Sequence, residues 1–255
     1  GGVRRSAMIS LSNLSDQRMR HAKSGQWWET APQMALSNNS VCYTDKPDGE
    51  TFLREWTALV ESKSGERGIF NRISAKEQAK KFGRRDADHE FGTNPCSEII
   101  LRPYQFCNLT EVVIREKDKF EDLKRKVMLA TILGTAQATL TKFPYLRKIW
   151  KNNTEEERLL GVSLTGIMDN ELTSGKKHGL DKTLEALRQV AVETNKEWSA
   201  IFGIPQSTAI TCVKPSGTVS QLVDSSSGIH PRHSSYYIRT VRGDNKDPLT
   251  NFMKD

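Results

Sequence analysis

Several features that would mark a membrane, secreted or zinc-binding protein are missing from this sequence. No apolar run approaches the ~20 residues that cross a bilayer, and no charged, then apolar, then small-residue signal peptide opens the chain. The four cysteines include no CxxC pair, so a structural zinc site is not expected. Internal repeats and low-complexity segments are also absent. The default expectation is a cytoplasmic protein without a membrane partner.

The composition that remains is typical of a globular protein. The 255 residues are 36% hydrophobic and 27% charged, which is enough for a sizeable core. No linker divides the chain, so we interpret residues 1–255 as one structural unit. The net charge of +7 favours anionic partners, such as nucleotide phosphates or nucleic acid. The densest basic run, residues 76–85 (KEQAKKFGRR), is interpreted as a solvated helix face.

Alternating strand and helix patterns predict an α/β fold. Strands are predicted at residues 7–11, 39–43, 109–115 and 207–213. Helices are predicted at residues 51–61, 120–140 and 181–202, because apolar residues recur there at helical spacing. In the first of these helices the apolar stripe contains Phe52, Leu53, Trp56, Leu59 and Val60. Thr154, followed three residues later by Glu157, is a capping-box signature and predicts the start of a further helix.

The most informative stretch is NPCSE at residues 94–98, with Cys107 eleven residues after Cys96. The proline keeps Asn94 out of the helical region, which predicts a loop. In an extended backbone, Cys96 and Glu98 would point to the same side. A thiol, a carboxylate and the Asn94 amide would then face one substrate. Taken alone, these residues also fit the common case of a buried cysteine beside a surface glutamate.

A second segment with chemical potential follows the strand predicted at residues 207–213. It contains Lys214, Pro215, Ser216, Gly217 and Thr218. Gly217 allows close approach of the backbone to a ligand, and the two hydroxyls add donors at the start of a helix. This arrangement predicts a triphosphate-binding loop, although the P-loop spacing GxxxxGK[ST] is absent. An ordinary capped turn is the alternative.

The remaining cysteines and histidines carry weaker signals. Cys42 and Cys212 lie in apolar, strand-like runs and are interpreted as buried core thiols. His230 and His233 form an HxxH, but the proline and arginine between them disfavour a helix that presents both to a metal. No metal site is therefore predicted.

The NPCSE segment with a closely following cysteine resembles the active-site loop of ribonucleotide reductases. The short spacing between the two cysteines resembles the monomeric, adenosylcobalamin-dependent class II enzymes that act on ribonucleoside triphosphates. Further segments agree in the family's order, and residues 1–7 (GGVRRSA) resemble its specificity loop. The other similar segments are residues 38–41, 68–72, 211–220 and 227–233.

The resemblance implies a ten-stranded α/β barrel with a central finger loop, of which this chain would hold roughly the second half. It also implies that Cys96 becomes a thiyl radical and abstracts hydrogen from C3′ of the ribose. Glu98 would take the proton of the 3′-hydroxyl, and Asn94 would hold the ribose hydroxyls. Cys107 would supply reducing equivalents together with a partner cysteine, expected upstream of this chain.

The resemblance further implies the binding partners. Ser97 and residues 214–218 would contact the substrate, and Gly2, Val3, Arg4 and Arg5 would respond to a deoxynucleotide effector. Adenosylcobalamin and a thioredoxin-like reductant are the expected cofactor and electron donor. Upstream and downstream segments of the enzyme would be needed, so the isolated chain is expected to be inactive. The alternatives from other functional classes are a basic nucleic-acid-binding module and an inactive structural remnant.

Overall fold

The computed structural model describes residues 8–238, 240 and 243–254. Its strands are β1 (Met8–Ser12), β2 (Ser37–Tyr43), β3 (Gly68–Asn71), β4 (Gly92–Thr93), β5 (Ile100–Leu101), β6 (Asn108–Val113) and β7 (Leu160–Thr165). Its α-helices are α1 (Gln17–Arg20), α2 (Trp27–Thr30), α3 (Gly49–Ser62), α4 (Arg72–Lys80), α5 (Phe120–Gln137), α6 (Lys148–Glu157), α7 (Leu180–Ile201), α8 (Thr218–Leu222) and α9 (Pro248–Phe252). In this part of the chain no helix is long and apolar enough to cross a membrane. The predicted specificity-loop residues Gly2, Val3, Arg4 and Arg5 lie outside the described residues.

The first part of the chain builds a parallel sheet in the order β1-β2-β3. The central strand, β2, is buried at nearly every position, as is usual for a parallel strand covered on both faces. Helix α3 connects β2 to β3 and begins where the Asp48 side chain accepts a hydrogen bond from the Thr51 amide at 2.9 Å. It ends at Lys63, which adopts a left-handed conformation. The helix predicted at residues 51–61 therefore exists, with slightly wider bounds.

The apolar stripe of α3 faces outward. Phe52, Leu53 and Trp56 are 41%, 62% and 52% exposed. The buried face of the helix carries Glu55 instead, which forms ion pairs with the guanidinium groups of two arginines, Arg20 and Arg67. The apolar spacing thus predicted the helix correctly. It did not predict which face of the helix packs against the rest of the described structure.

The second part of the chain contains the larger core. Strands β6 and β7 pair in parallel, with Asn108 opposite Leu160 and Val113 opposite Thr165. Helices α5 and α7 pack against each other and cover one face of this pair, where Leu123 and Ala191 are completely buried. Each fully buried large apolar side chain stabilises the fold by about 1.5–3 kcal/mol. This packing leaves the opposite face of β6 and β7 available for polar side chains.

Two predicted elements differ in the structure. The strand predicted at residues 207–213 is reduced to an isolated bridge between Thr211 and Val162 of β7. Thr154 does not begin a helix but lies in the last turn of α6, where its hydroxyl donates to the carbonyl of Trp150 at 2.8 Å. The helix ends after Glu157 because Arg158 takes a left-handed conformation. The capping-box prediction was therefore wrong: the hydroxyl is used inside the helix.

The predicted α/β class is confirmed. Within residues 8–238, 240 and 243–254 the strands form three separate sheets, namely β1-β2-β3, the antiparallel pair β4-β5 and the parallel pair β6-β7. None of these sheets is closed, so the ten-stranded barrel and the central position of the finger loop stay predictions. The interpretation of residues 1–255 as one structural unit also stays a prediction.

Candidate active site

The NPCSE segment forms the loop of a tight hairpin between β4 and β5. Thr93 pairs with Ile100, and the loop is closed by a 3.0 Å hydrogen bond from the Ile99 amide to the Asn94 side-chain oxygen. The Thr93 hydroxyl donates to the Ile99 carbonyl at 2.9 Å. Ser97 has a φ of 64°, so the backbone turns sharply between Cys96 and Glu98. The extended backbone assumed from the sequence is therefore wrong, and Asn94 holds the shape of the loop.

The turn places Cys96 and Glu98 in different environments, one exposed to solvent and the other buried. Cys96 is exposed at the tip of the hairpin, and Ser97 beside it is exposed as well. The Glu98 side chain is only 2% exposed, and its Oε2 is buried without a hydrogen-bond partner. Its Oε1 lies 4.0 Å from the ammonium of Lys214. The hairpin loop and the segment at residues 214–218 therefore meet at Glu98, although they are far apart in sequence.

Two thiols lie near this carboxylate. Burial raises the pKa of Cys107 to about 11, and the charge of Glu98 adds to the rise while Lys214 opposes it. Burial raises the pKa of Cys212 to about 12, with further contributions from Glu98 and Cys107. Both thiols are consequently protonated at neutral pH.

Cys212 was not expected at this site. The sequence interpretation made it a core thiol, as it did Cys42, and Cys42 is indeed buried in the core beside Phe70. Cys212, by contrast, is only partly buried and interacts with Cys107 and Glu98. Its position two residues before Lys214, in a segment predicted to end at a ligand, is the sequence signal that could have identified it.

A glycine in β7 makes room for the hairpin. A Cβ atom at Gly161 would stand 2.9 Å from Ile99 Cδ1 and 3.0 Å from Cys212 Sγ, and closer still to Leu109 Cδ2. Ile99 directly follows Glu98 and is 6% exposed, so this side chain anchors the loop on the sheet. A larger residue at position 161 would force the Leu109, Ile99 and Cys212 side chains to shift, and Ile99 belongs to the loop that carries Glu98.

The loop at residues 214–218 is braced by a neighbouring turn. The Lys214 amide donates to Ser163 of β7 at 2.9 Å, and the Gly217 amide donates to the Ser227 hydroxyl at 3.0 Å. Gly217 has a positive φ of 52°, as expected for a turn that only glycine adopts easily. Since its amide is already paired, the side chains of Lys214 and Ser216 are better placed to meet an anion. Pro215 and Thr218 are exposed beside them.

Ser216 and Glu111, a residue that the sequence patterns did not predict, complete the polar surface. Ser216 is 5% exposed, and its hydroxyl has no hydrogen-bond partner. Glu111 of β6 lies near it, with both carboxylate oxygens buried and unpartnered. Burial raises the pKa of Glu111, against the smaller opposing effects of Ser216 and Lys214. The two-residue period of a strand, counted from Cys107 through Leu109, would have placed Glu111 on the same face.

The basic run at residues 76–85 is only partly a solvated face. Its helical part is mostly exposed, but the Arg85 side chain is 5% exposed and forms two 2.8 Å bonds to Glu157. Arg102 also pairs with Glu157, at 3.1 Å, and Gln105 donates to the same carboxylate. Arg85 donates in addition to the Ile100 carbonyl in β5 at 2.9 Å. This cluster therefore ties the hairpin to α6, which corrects the interpretation of the end of the run.

Proteins of known structure share this fold. No family model matches the chain. A crystal structure of a B12-dependent (class II) ribonucleotide reductase is similar with a TM-score of 0.64 and 25% identity, over 87% of this chain and 34% of that one. The class Id ribonucleotide reductase alpha subunit of Actinobacillus ureae has a TM-score of 0.62 at 15% identity, over 96% and 51%. In fold, the chain is thus a relative of ribonucleotide reductases.

Sequence similarity indicates which ribonucleotide reductases this chain resembles. The adenosylcobalamin-dependent ribonucleoside-triphosphate reductase of Lactobacillus delbrueckii subsp. bulgaricus is 31% identical over an aligned region of 288 positions, which covers 100% of this chain. The enzymes of the same name from Lactobacillus leichmannii and Lactobacillus gasseri are 31% and 30% identical. The chain spans 37% of the length of these relatives. It is therefore homologous to a segment of adenosylcobalamin-dependent ribonucleoside-triphosphate reductases.

Proposed function

We propose that this chain carries the substrate-reducing site of an adenosylcobalamin-dependent ribonucleotide reductase, with ribonucleoside triphosphates as substrates. The supporting observation is the meeting of the hairpin loop and residues 214–218 at Glu98, with Cys107 in electrostatic reach. These residues are distant in sequence, and an unpartnered buried carboxylate beside a lysine and a thiol has the features of a reaction site. The homology to enzymes of this name supports the assignment.

The proposed roles follow from the position of each side chain. Cys96 removes the C3′ hydrogen of the ribose as a thiyl radical, and Glu98 accepts the proton of the 3′-hydroxyl through its unpartnered Oε2. Asn94 maintains the hairpin loop and orients the ribose together with Ser97. Cys107 donates reducing equivalents as it forms a disulfide with a cysteine of another segment, while water leaves from C2′.

The exposed position of Cys96 fits a thiol that a cofactor approaches from outside the hairpin. When bound, adenosylcobalamin supplies the radical chemistry that the protein's own groups lack. Burial of Glu98 keeps the proton transfer away from bulk water, which limits side reactions at a radical site. The raised pKa of Cys107 keeps its thiol protonated until the reduction step.

The ribonucleotide phosphates are proposed to contact residues 214–218, with the ammonium of Lys214 as the charged donor. A deoxynucleotide effector near residues 2–5, a thioredoxin-like reductant, and the upstream and downstream segments found in the relatives are proposed as the further partners. A cytoplasmic location is proposed on the same basis.

The experiment uses the chain joined to the matching flanking segments of a Lactobacillus relative, referred to below as the completed enzyme. Deoxynucleotide formation is measured with adenosylcobalamin, a ribonucleoside triphosphate and a dithiol. We expect product from the wild type, none from Cys96→Ser, and near wild-type yield from the control Cys42→Ala, which removes a thiol outside the site. Product from Cys96→Ser would refute the radical role of Cys96. A folded, cofactor-bound wild type that makes no product would indicate a structural remnant instead.

A further inference from the structure

The polar surface around Lys214 has more acidic groups than cationic ones. Glu98 and Glu111 both lie within its electrostatic reach, and the Lys214 ammonium is the cation that lowers the pKa of Glu111. The ammonium is 4.0 Å from Glu98 Oε1, so Glu98 is the carboxylate that it stabilises directly. Glu111 is left without an ion pair of its own among the described residues.

A buried carboxylate in this position is costly when it is charged. Both oxygens of Glu111 are buried without a hydrogen bond of good geometry, although the Ser216 hydroxyl lies close enough to lower the pKa of this carboxyl against the larger effect of burial. In such surroundings the charged form of a carboxylate is disfavoured, so the group binds a proton more readily than it does in water. The direction of the pKa shift of Glu111, upward through burial, agrees with this.

A neutral Glu111 changes what the surface is able to bind. The O–H of the carboxylic acid and the unpartnered hydroxyl of Ser216 are then two hydrogen-bond donors beside the ammonium of Lys214. The Gly217 amide does not contribute, since it donates to Ser227. Three side-chain donors, one of which is the charged ammonium of Lys214, match an anionic oxygen cluster such as a phosphoryl group. An ionised Glu111 at this place would instead repel it.

We propose that Glu111 is a substrate-binding residue, which holds a phosphoryl oxygen of the nucleotide as a neutral carboxylic acid together with Ser216 and Lys214. This inference rests on the proposed function, because it takes the substrate to be a nucleotide bound at residues 214–218. It adds an acidic residue of β6 to a surface that the sequence assigned to the loop alone.

The experiment measures equilibrium binding of ATP, and the KM for its reduction, between pH 7 and 9 in the completed enzyme. The variants are Glu111→Gln, a permanently neutral hydrogen-bond donor, and Glu111→Ala. The matched control is Glu116→Gln, which changes an exposed glutamate in the loop after β6. Lys214 is the ionisable group that acts on Glu111, and Glu98, Cys107 and Cys212 are the titratable groups around Lys214. The two thiols, with pKa values of about 11 and 12, stay protonated in this range.

We expect wild-type binding to weaken as the pH rises and Glu111 loses its proton. Glu111→Gln should bind within about threefold of the wild type at pH 7 and should lose this pH dependence, while Glu111→Ala should bind roughly ten- to a hundredfold more weakly at every pH. Glu116→Gln should follow the wild type. All variants are measured with the same nucleotide. The pH dependence of ATP binding by Glu111→Gln therefore shows the contribution from titration of the phosphate itself, which is subtracted from that of the wild type.

Two results would overturn the role of Glu111 without affecting the proposed function. In an active enzyme, equal losses in Glu111→Gln and Glu111→Ala would show that a charged carboxylate is required, as for a bridging divalent cation. Wild-type binding in both variants would show that Glu111 does not touch the substrate. Conversely, Glu111-dependent ATP binding without any reduction would refute the proposed function and leave this binding site intact. Absence of ATP binding by the folded wild type would overturn both.

Discussion

Removing the carboxylate of Glu157 should destabilise the protein far more than removing its neighbour Glu156. The Glu157 side chain is 1% exposed, accepts hydrogen bonds from Arg85 and Gln105, and forms an ion pair with Arg102. Glu157→Ala would leave two arginines, each 5% exposed, without their buried counter-charge. Breaking a buried pair from one side costs about 3–5 kcal/mol, and we expect a loss of that size.

Glu156 provides a matched control within the same cluster. It also pairs with Arg102, through 2.9 and 3.1 Å bonds, but its side chain is 62% exposed. Exposed ion pairs contribute about 0–1 kcal/mol, so Glu156→Ala should have a small effect. The two substitutions remove the same chemical group one residue apart and differ mainly in burial.

The assay is urea denaturation of the completed enzyme, followed by circular dichroism at neutral pH. Because Arg85 also holds the Ile100 carbonyl, Glu157→Ala should lower deoxynucleotide formation as well, through displacement of the hairpin. Equal losses of about 1 kcal/mol or less in both variants would refute the reasoning, since burial would then not determine the value of the pair.

Three further predictions concern the active-site face. Gly161→Ala should lower the free energy of unfolding by about 1–3 kcal/mol through overpacking and should reduce turnover. Adding Leu109→Ala removes the side chain nearest the new methyl group and should restore part of the stability and part of the turnover. The absence of any recovery would contradict the steric explanation. Cys107, with a pKa of about 11, should be about one part in a thousand thiolate at pH 8; iodoacetamide labelling followed by mass spectrometry should be much slower in the folded than in the urea-unfolded protein, and equal rates would argue against burial of the thiol. The raised pKa of Glu111 means that the folded state holds its proton more tightly than the unfolded state does. The unfolding free energy should therefore fall as pH rises above the unfolded value of about 4.3, and Glu111→Gln should be more stable than the wild type at pH 8 but not at pH 4; a constant difference across this range would contradict the assignment.

Local patterns in the sequence determined the elements and the reactive loop. The apolar spacing of residues 51–61, 120–140 and 181–202 predicted α3, α5 and α7, because helical periodicity is a property of neighbouring residues. Pro95 predicted a loop, since it restricts the residue before it and lacks an amide donor. The NPCSE segment indicated the family and the short spacing of Cys96 and Cys107 indicated the class, and the sequence and fold comparisons agree with both.

Burial and long-range contact were decided only by the tertiary structure. The apolar stripe of α3 is exposed and Glu55 is buried. The helix sequence could not predict this, because burial depends on which distant residues pack against each face. Arg85 meets Glu157 across 72 residues, and Glu98 meets Lys214 across an even longer stretch. Cys212 and Glu111 join the site through the pairing of β6 with β7 and of β7 with Thr211. The sequence alone identified which side chains are able to react, whereas the pairing of distant strands selected which of them share one buried surface.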